Sequence, residues 1–314
     1  MLQILALPTY LEYTLLQALI GLLRTMRPKQ WTKNVLIYAG LVFDGQLFNR
    51  ESFAIVTISF ALLCLAASTI YVVNDLVDIN RDRQHPRKKY RPLPSGQLPV
   101  PLAVAAAFAL PVIAVGAAAL FNPRYALVLI LYIALHLLYS FWIKHLVILD
   151  ILTLTAGYVL RVAAGVLVIE VDRFSPWLYT CTALLALFLA IGKRRQELLM
   201  MGDNANNVRP IFKQYNLPLL DDMLRMVTTS ILIAYILYTI EAPSLLLAGN
   251  NLALITIPFV MYALFRYLYL IHVKGEGSAP DEVLFRDRPL LATILLWGLT
   301  FVVILYLPRV VMNA

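Results

Sequence analysis

The chain is short of charge and nearly free of cysteine. Asp, Glu, Lys and Arg make up only 14% of its 314 residues, where a soluble domain carries about 25%. Two cysteines, Cys64 and Cys181, exclude a disulfide scaffold and a four-cysteine zinc site. Both lie inside long apolar runs and read as small core residues. No charged segment followed by a short apolar core and a small-residue cleavage site opens the chain, so no cleaved signal is expected. Low-complexity tracts are lacking, and the one internal correspondence, between 52–98 and 174–225, is weak. What the chain has instead is apolar sequence: 61% of residues, with a mean hydropathy of +0.77. Its apolar runs are too many for a single anchor. An all-α polytopic membrane protein follows, because only helices and closed barrels cross a bilayer and these runs show no period-2 alternation.

A crossing helix needs about 20 apolar residues. Strong candidates are 52–73, 99–121, 123–143, 146–169, 174–191, 226–245, 250–271 and 289–308, and a weaker one, carrying Asp44, is 33–49. Nine transmembrane helices are therefore expected, in one integral membrane domain over 1–314. Residues 1–23 read as an interfacial helix, 24–310 as the bundle, and 74–98, 192–225 and 272–288 as loops on one side. Counted across nine spans, 20 of the 26 lysines and arginines fall on that side and four on the other; Arg161 and Arg266 lie within spans. The positive-inside rule puts the N-terminus and these loops in the cytoplasm.

Topology alone accounts for basic loops, but here acidic residues are interleaved with them. Asn74, Asp75, Asp78 and Asp82 follow an apolar run with the spacing N-D-x-x-D-x-x-x-D. On one continuous helix the three carboxylates would fall within roughly 60° of arc. Carboxylates stacked at a membrane boundary need a cation, and hard oxygen donors of this kind suit Mg²⁺ shared with substrate phosphates. The cluster reads as a site for a Mg²⁺–diphosphate; the competing reading is a solvated acidic helix end paired with local arginines. The Pro- and Gly-punctuated loop that follows, with Lys88 and Arg91, supplies positive charge for a diphosphate. His85 in that loop reads as structural or as a proton carrier.

NDLVDINRD followed by HPRKKYRPLPSG resembles the first aspartate motif and adjoining loop of the UbiA superfamily of intramembrane prenyltransferases. The resemblance extends over roughly 24–310. It implies a UbiA-like helical bundle, with diphosphate bound through Mg²⁺ at Asp75, Asp78 and Asp82 and a site facing the cytoplasm. The sequence departs from the ordinary family where a second aspartate motif belongs: it reads Gly192-Lys193-Arg194-Arg195-Gln196-Glu197-Leu198. Three adjacent cations suit a phosphate monoester better than a metal, although a basic stop at a membrane boundary would look the same.

RPKQWTKN at 27–34, YSFWIKHLVILD at 139–150 and KRRQEL at 193–198 make the chain similar to one branch of that superfamily, the decaprenyl-phosphate phosphoribosyltransferases. The branch implies transfer of a 5-phosphoribosyl group from 5-phosphoribosyl diphosphate (PRPP) to a polyprenyl phosphate. Catalytic roles then fall to Asn74, Asp75 and Asp78. Lys29, Lys33, Lys88, Arg91, Tyr139, Lys144, Lys193, Arg194 and Arg195 form the substrate-binding pool, with Lys29 and Lys33 together favoured for the lipid phosphate. Arg161 either serves the site or pairs with Asp44 or Asp150. Tyr215, Asp221 and Asp222 read either as a cap or as a loop without substrate role. The expected partners are PRPP, the lipid and the bilayer of a prokaryotic plasma membrane, with no nucleic acid; self-association into a homo-oligomer stays open. The alternative is a UbiA-type transfer of a prenyl group to an aromatic acceptor.

Overall fold

The computed structural model describes residues 6–169, 171, 175–201, 210–241, 251–276, 283, 284 and 286–312. Parts of the expected loops at 192–225 and 272–288 lie outside these residues. No strand occurs among the described residues. Among the described residues, eight helices are long and apolar enough to cross a membrane. They are α3 (Arg50–Val77), α5 (Val100–Phe121), α6 (Pro123–Phe141), α7 (Leu149–Val168), α8 (Pro176–Met201), α9 (Leu217–Ile240), the segment Leu252–His272, whose α-helical part α10 is Ile257–His272, and α11 (Arg288–Met312). Asn49, Asn122 and Asn216 cap α3, α6 and α9 with side-chain oxygens that accept backbone N–H groups, so three helix starts are written in local sequence. A further helix, α1 (Ala6–Thr25), precedes the bundle.

Consecutive helices α3, α5, α6, α7 and α8 pack side by side. Lipid tails are as apolar as the side chains, so close packing of small residues binds such helices. Ala66, Ala114, Ala118 and Ala164 are accordingly fully buried at these contacts. Up-and-down order brings the C-terminal ends of α3, α6 and α8 and the N-terminal end of α7 to one end of the bundle. A second core, with Ile151, Phe188, Leu224 and Leu264, joins α7 and α8 to α9 and α10.

The weak candidate at 33–49 does not form a span-length α-helix. Pro28–Tyr38 winds as an 11-residue 3-10 helix, η1, and a five-residue α-helix, α2 (Ala39–Phe43), follows. Such a 3-10 run is unusually long. Its course is set by a ladder of contacts along α3. Arg27 meets Asp75, Trp31 Nε1 donates to Ser68, Asn34 Nδ2 to Cys64 Sγ, Tyr38 to Thr57, and Ser52 Oγ to the Gln46 amide oxygen. Residues 27–46 thus run antiparallel to α3 from its end back to its start. A 3-10 helix rises about 2.0 Å per residue against about 1.5 Å in an α-helix, which lets fewer residues cover the same length.

The stretch is seated on α7 by Gly165. A Cβ built there would fall on the Ile37 carbonyl group, so only glycine permits this approach. Gly165→Ala should push η1 off α7 and cost about 1–3 kcal/mol, read as a lowered unfolding temperature in detergent. An unchanged unfolding temperature would show that the approach is not tight.

Candidate active site

The acidic motif does not lie on one unbroken helix. α3 ends at Val77, Asp78 takes φ −89° and ψ 3°, and α4 (Ile79–Gln84) begins beyond it. Asp75 and Asp82 are buried, while Asn74 and Asp78 are partly exposed. Arg27 Nη2 donates to Asp75 Oδ1 at 2.7 Å. Arg91 Nη1 bridges Asp75 Oδ1 at 3.2 Å and Asp82 Oδ2 at 2.7 Å. Lys88 Nζ stands 3.6 Å from Asp82 Oδ1. Asp78 forms no side-chain hydrogen bond or ion pair among the described residues, which leaves a carboxylate at the bend between two that are held. Arg27 is fixed in turn: its φ of 55° is left-handed, and its guanidinium lies 4.8 Å from the Tyr71 ring centroid.

Among the described residues no three His, Cys, Asp or Glu side chains form a ready-made cation cage. The donor set still fits Mg²⁺, which keeps several waters and binds through one or two carboxylates plus substrate phosphates. Two buried carboxylates sharing one guanidinium nitrogen already point at a common place.

At the basic motif the cations are not bare. Arg194 is 2% exposed and donates to Asp150 Oδ2 at 2.8 Å, Glu197 Oε2 at 2.7 Å and the Tyr139 hydroxyl at 3.3 Å. Tyr215 donates its hydroxyl to Asp150 Oδ1 at 2.7 Å and accepts the Ile148 N–H. Burial, and the hydrogen bond to that carboxylate, push the Tyr215 phenol up, so it stays a neutral donor. Arg195 pairs with Asp221 at 2.5 Å and donates to the Ile271 carbonyl. Arg194 and Arg195 therefore answer carboxylates of the chain itself, because two guanidinium groups inside an apolar bundle need counter-charges. Lys193 and Lys144 are partly exposed near this end.

Arg161 pairs with neither Asp44 nor Asp150. Its Nε donates to Asn34 Oδ1 at 2.9 Å, Nη1 to the Gly157 carbonyl at 2.8 Å and Nη2 to the Tyr132 hydroxyl at 2.7 Å. The Tyr132 and Tyr158 rings lie 5.0 and 5.1 Å from its guanidinium carbon. Asp150 is taken by Arg194, and Asp44 accepts from Gln46.

Beside η1 lies a cavity of about 370 Å³, lined almost wholly by apolar side chains, among them Leu36, Phe43, Leu185, Leu264 and Trp297. Tyr235 also lines it, but its hydroxyl is engaged by Thr256 and Trp297. An apolar chain suits this space.

The structure thus brings together Asp75, Asp82, Lys88 and Arg91 at the acidic end, and Tyr139 with Arg194 at the basic end. It separates Lys29 from Lys33, which lie on different faces of η1. The sequence reading passed over Arg27 and Asp150 as site members. Their partners lie 48 and 44 residues away, and no local spacing shows such pairs; the only sign was a charge beside a helix boundary.

Residues 35–291 match the UbiA prenyltransferase family. The chain belongs to that family. With eight span-length helices, it is an integral membrane protein. This UbiA protein is 34% identical over 292 residues to a decaprenyl-phosphate phosphoribosyltransferase of Corynebacterium glutamicum, covering 91% of this chain and 87% of that one. It is 31% identical over 281 residues to the protein of the same name from Mycobacterium tuberculosis, covering 88% and 91%. Its fold superposes on a UbiA homologue from Archaeoglobus fulgidus bound to GPP and Mg²⁺. The TM-score is 0.66 at 18% identity, with 91% of this chain and 99% of that one covered.

Asp150→Ala would strand the buried Arg194 charge and should cost about 3–5 kcal/mol, whereas joint replacement of Asp150 and Arg194 by apolar residues of similar volume should recover much of it. Thermal unfolding of both variants in detergent checks this; equal losses would show that the pair is not coupled.

Proposed function

We propose that this UbiA protein moves the 5-phosphoribosyl group of PRPP onto decaprenyl phosphate or another polyprenyl phosphate, releasing diphosphate with the aid of Mg²⁺. One observation carries the reading: the two inner helix ends are chemically unlike. Carboxylates gather at the end of α3 and just beyond it, whereas arginines bound to the chain's own carboxylates occupy the end of α8. That leaves one acidic diphosphate site, not two, among the described residues. The names of the Corynebacterium and Mycobacterium relatives support the same transferred group and the same acceptor.

In this reading Asp75 and Asp82, with Asp78 at the bend, would hold Mg²⁺, and Asn74 orients a ligand or the ribose. The ion, when bound, neutralises charge on the departing diphosphate. Arg27, Arg91 and Lys88 pair with the carboxylates before binding and meet diphosphate oxygens after it. Tyr139, kept in place by Arg194, together with Lys144 and Lys193, serves the remaining donor groups. The bond from ribose C1 to the diphosphate oxygen breaks, and a bond from C1 to an acceptor phosphate oxygen forms on the opposite face. A phosphate monoester is nucleophilic at neutral pH without a strong base, so catalysis rests on positioning and charge. The apolar cavity takes the first isoprene units of the acceptor.

The arrangement in the membrane follows. Residues 1–314 form one integral domain, with α1 at the interface. With 11 residues in η1 and five in α2, the segment reaches about 30 Å, the thickness of a hydrocarbon core. It makes the ninth crossing, and the positive-inside count turns the site to the cytoplasm.

Membranes holding the protein, given labelled PRPP, Mg²⁺ and decaprenyl phosphate, should pass label into the lipid fraction, with a phosphoribosyl lipid seen by mass spectrometry. Transfer of a prenyl group from prenyl diphosphate to an aromatic acceptor, with no label in lipid, would overturn the reading. Asp75→Asn and Asp78→Asn together should lower turnover by roughly 10²-fold or more, and chelation should stop transfer until Mg²⁺ is restored. Full turnover in the variant would remove the metal role.

A further inference from the structure

We propose that Lys33, and not Lys29, is the side chain by which this protein selects a lipid with a phosphate head. The inference deepens the acceptor reading above and rests on it. In an α-helix the two lysines, four residues apart, would share a face. η1 is wound instead with three residues per turn, so residues three apart eclipse one another and the two lysines point about 120° apart.

The exposure pattern along η1 and into the start of α2 follows this period. Asn34, Ile37 and Gly40 are buried, whereas Lys29, Thr32 and Val35 are exposed. Gln30, Lys33, Leu36 and Ala39 are intermediate, and the last two line the apolar cavity. Lys33 therefore shares the cavity face. It stands one turn, about 6 Å, from Leu36 toward the end where Arg27 meets Asp75.

The register cannot drift. Asn34 is held by both Arg161 and Cys64, Trp31 by Ser68, and the Ile37 carbonyl by its fit over Gly165. Lys33 thus stands between an apolar cavity and the acidic diphosphate site. An amphiphile fills that path: isoprenoid in the cavity, phosphate at the ammonium, and a free phosphate oxygen toward the donor. A lysine suits this place because its long stem follows apolar surface while its compact charge takes a charge-assisted hydrogen bond. Lys29, on the outer face with Thr32 and Val35, has no such path.

Binding of farnesyl phosphate and of farnesol to the full chain in detergent, without PRPP, separates the claims. Wild type should prefer the phosphate by roughly tenfold or more. Lys33→Gln should lose that preference with farnesol binding unchanged, whereas Lys29→Gln should keep it. A wild type indifferent to the head group overturns the acceptor reading itself. A preference that survives Lys33→Gln, or falls equally in Lys29→Gln, overturns only the assignment to Lys33. Amine acylation of wild type, read by mass spectrometry, needs no variant. Farnesyl phosphate should shield Lys33 and leave Lys29 reactive; shielding of Lys29 alone would overturn the assignment.

Discussion

The seating of residues 27–46 along α3 is the contact on which the site depends. Five side-chain contacts, from Arg27–Asp75 at one end to Ser52–Gln46 at the other, hold the segment antiparallel to a spanning helix. Because its stretch Pro28–Tyr38 is wound as a 3-10 helix, each of the three faces of that stretch has its own work. One packs into the groove between α3 and α7, one faces the apolar cavity, and one is exposed. The same ladder delivers Arg27 to the buried Asp75. Asn34, placed by the ladder, takes a hydrogen bond from Arg161, so a charge inside the membrane is met by an amide, a carbonyl, a hydroxyl and two rings rather than a carboxylate.

Compensation of buried charge explains the remaining organisation. A carboxylate or guanidinium taken out of water costs several kcal/mol unless paired and hydrogen-bonded. At the acidic end the pairing is shared and partly exposed: one Arg91 nitrogen serves two carboxylates, and Lys88 and Arg27 lie at the rim. Under the proposed function, such an arrangement exchanges its partners for a metal-bound diphosphate. At the basic end the pairing is closed. Arg194 is enclosed by Asp150, Glu197 and Tyr139, and Tyr215 completes the Asp150 carboxylate. Closed pairs hold geometry, and here they fix α6, α7, α8 and the stretch before α9 to one another while presenting Tyr139.

Much of this was legible beforehand, for identifiable reasons. Apolar runs long enough to cross a bilayer are a local property, so eight spans stood out. The acidic motif, too, was local, and its neighbours Lys88 and Arg91 proved to be its partners. Asp78 was misjudged as one step on a continuous helix because the spacing N-D-x-x-D-x-x-x-D looks the same whether or not the helix bends there. The cluster Lys193-Arg194-Arg195 suggested bare cations because Asp150 and Asp221 are distant along the chain.

By itself, the sequence determined that the chain is a helical membrane protein, that its long helices number at least eight, and that carboxylates and cations meet at one end of the bundle, although it placed in a loop the Asp221 and Asp222 that lie within α9. Those outcomes depend on hydrophobic length, capping residues and neighbours within a few turns. Only the tertiary structure decided which charges are engaged with each other, that 28–38 winds with three residues per turn, and consequently that Lys29 and Lys33 part company. Those outcomes depend on what packs against each side chain: Gly165 admitting the Ile37 carbonyl, Asp150 meeting Arg194, and α3 setting the length that a short segment had to cover.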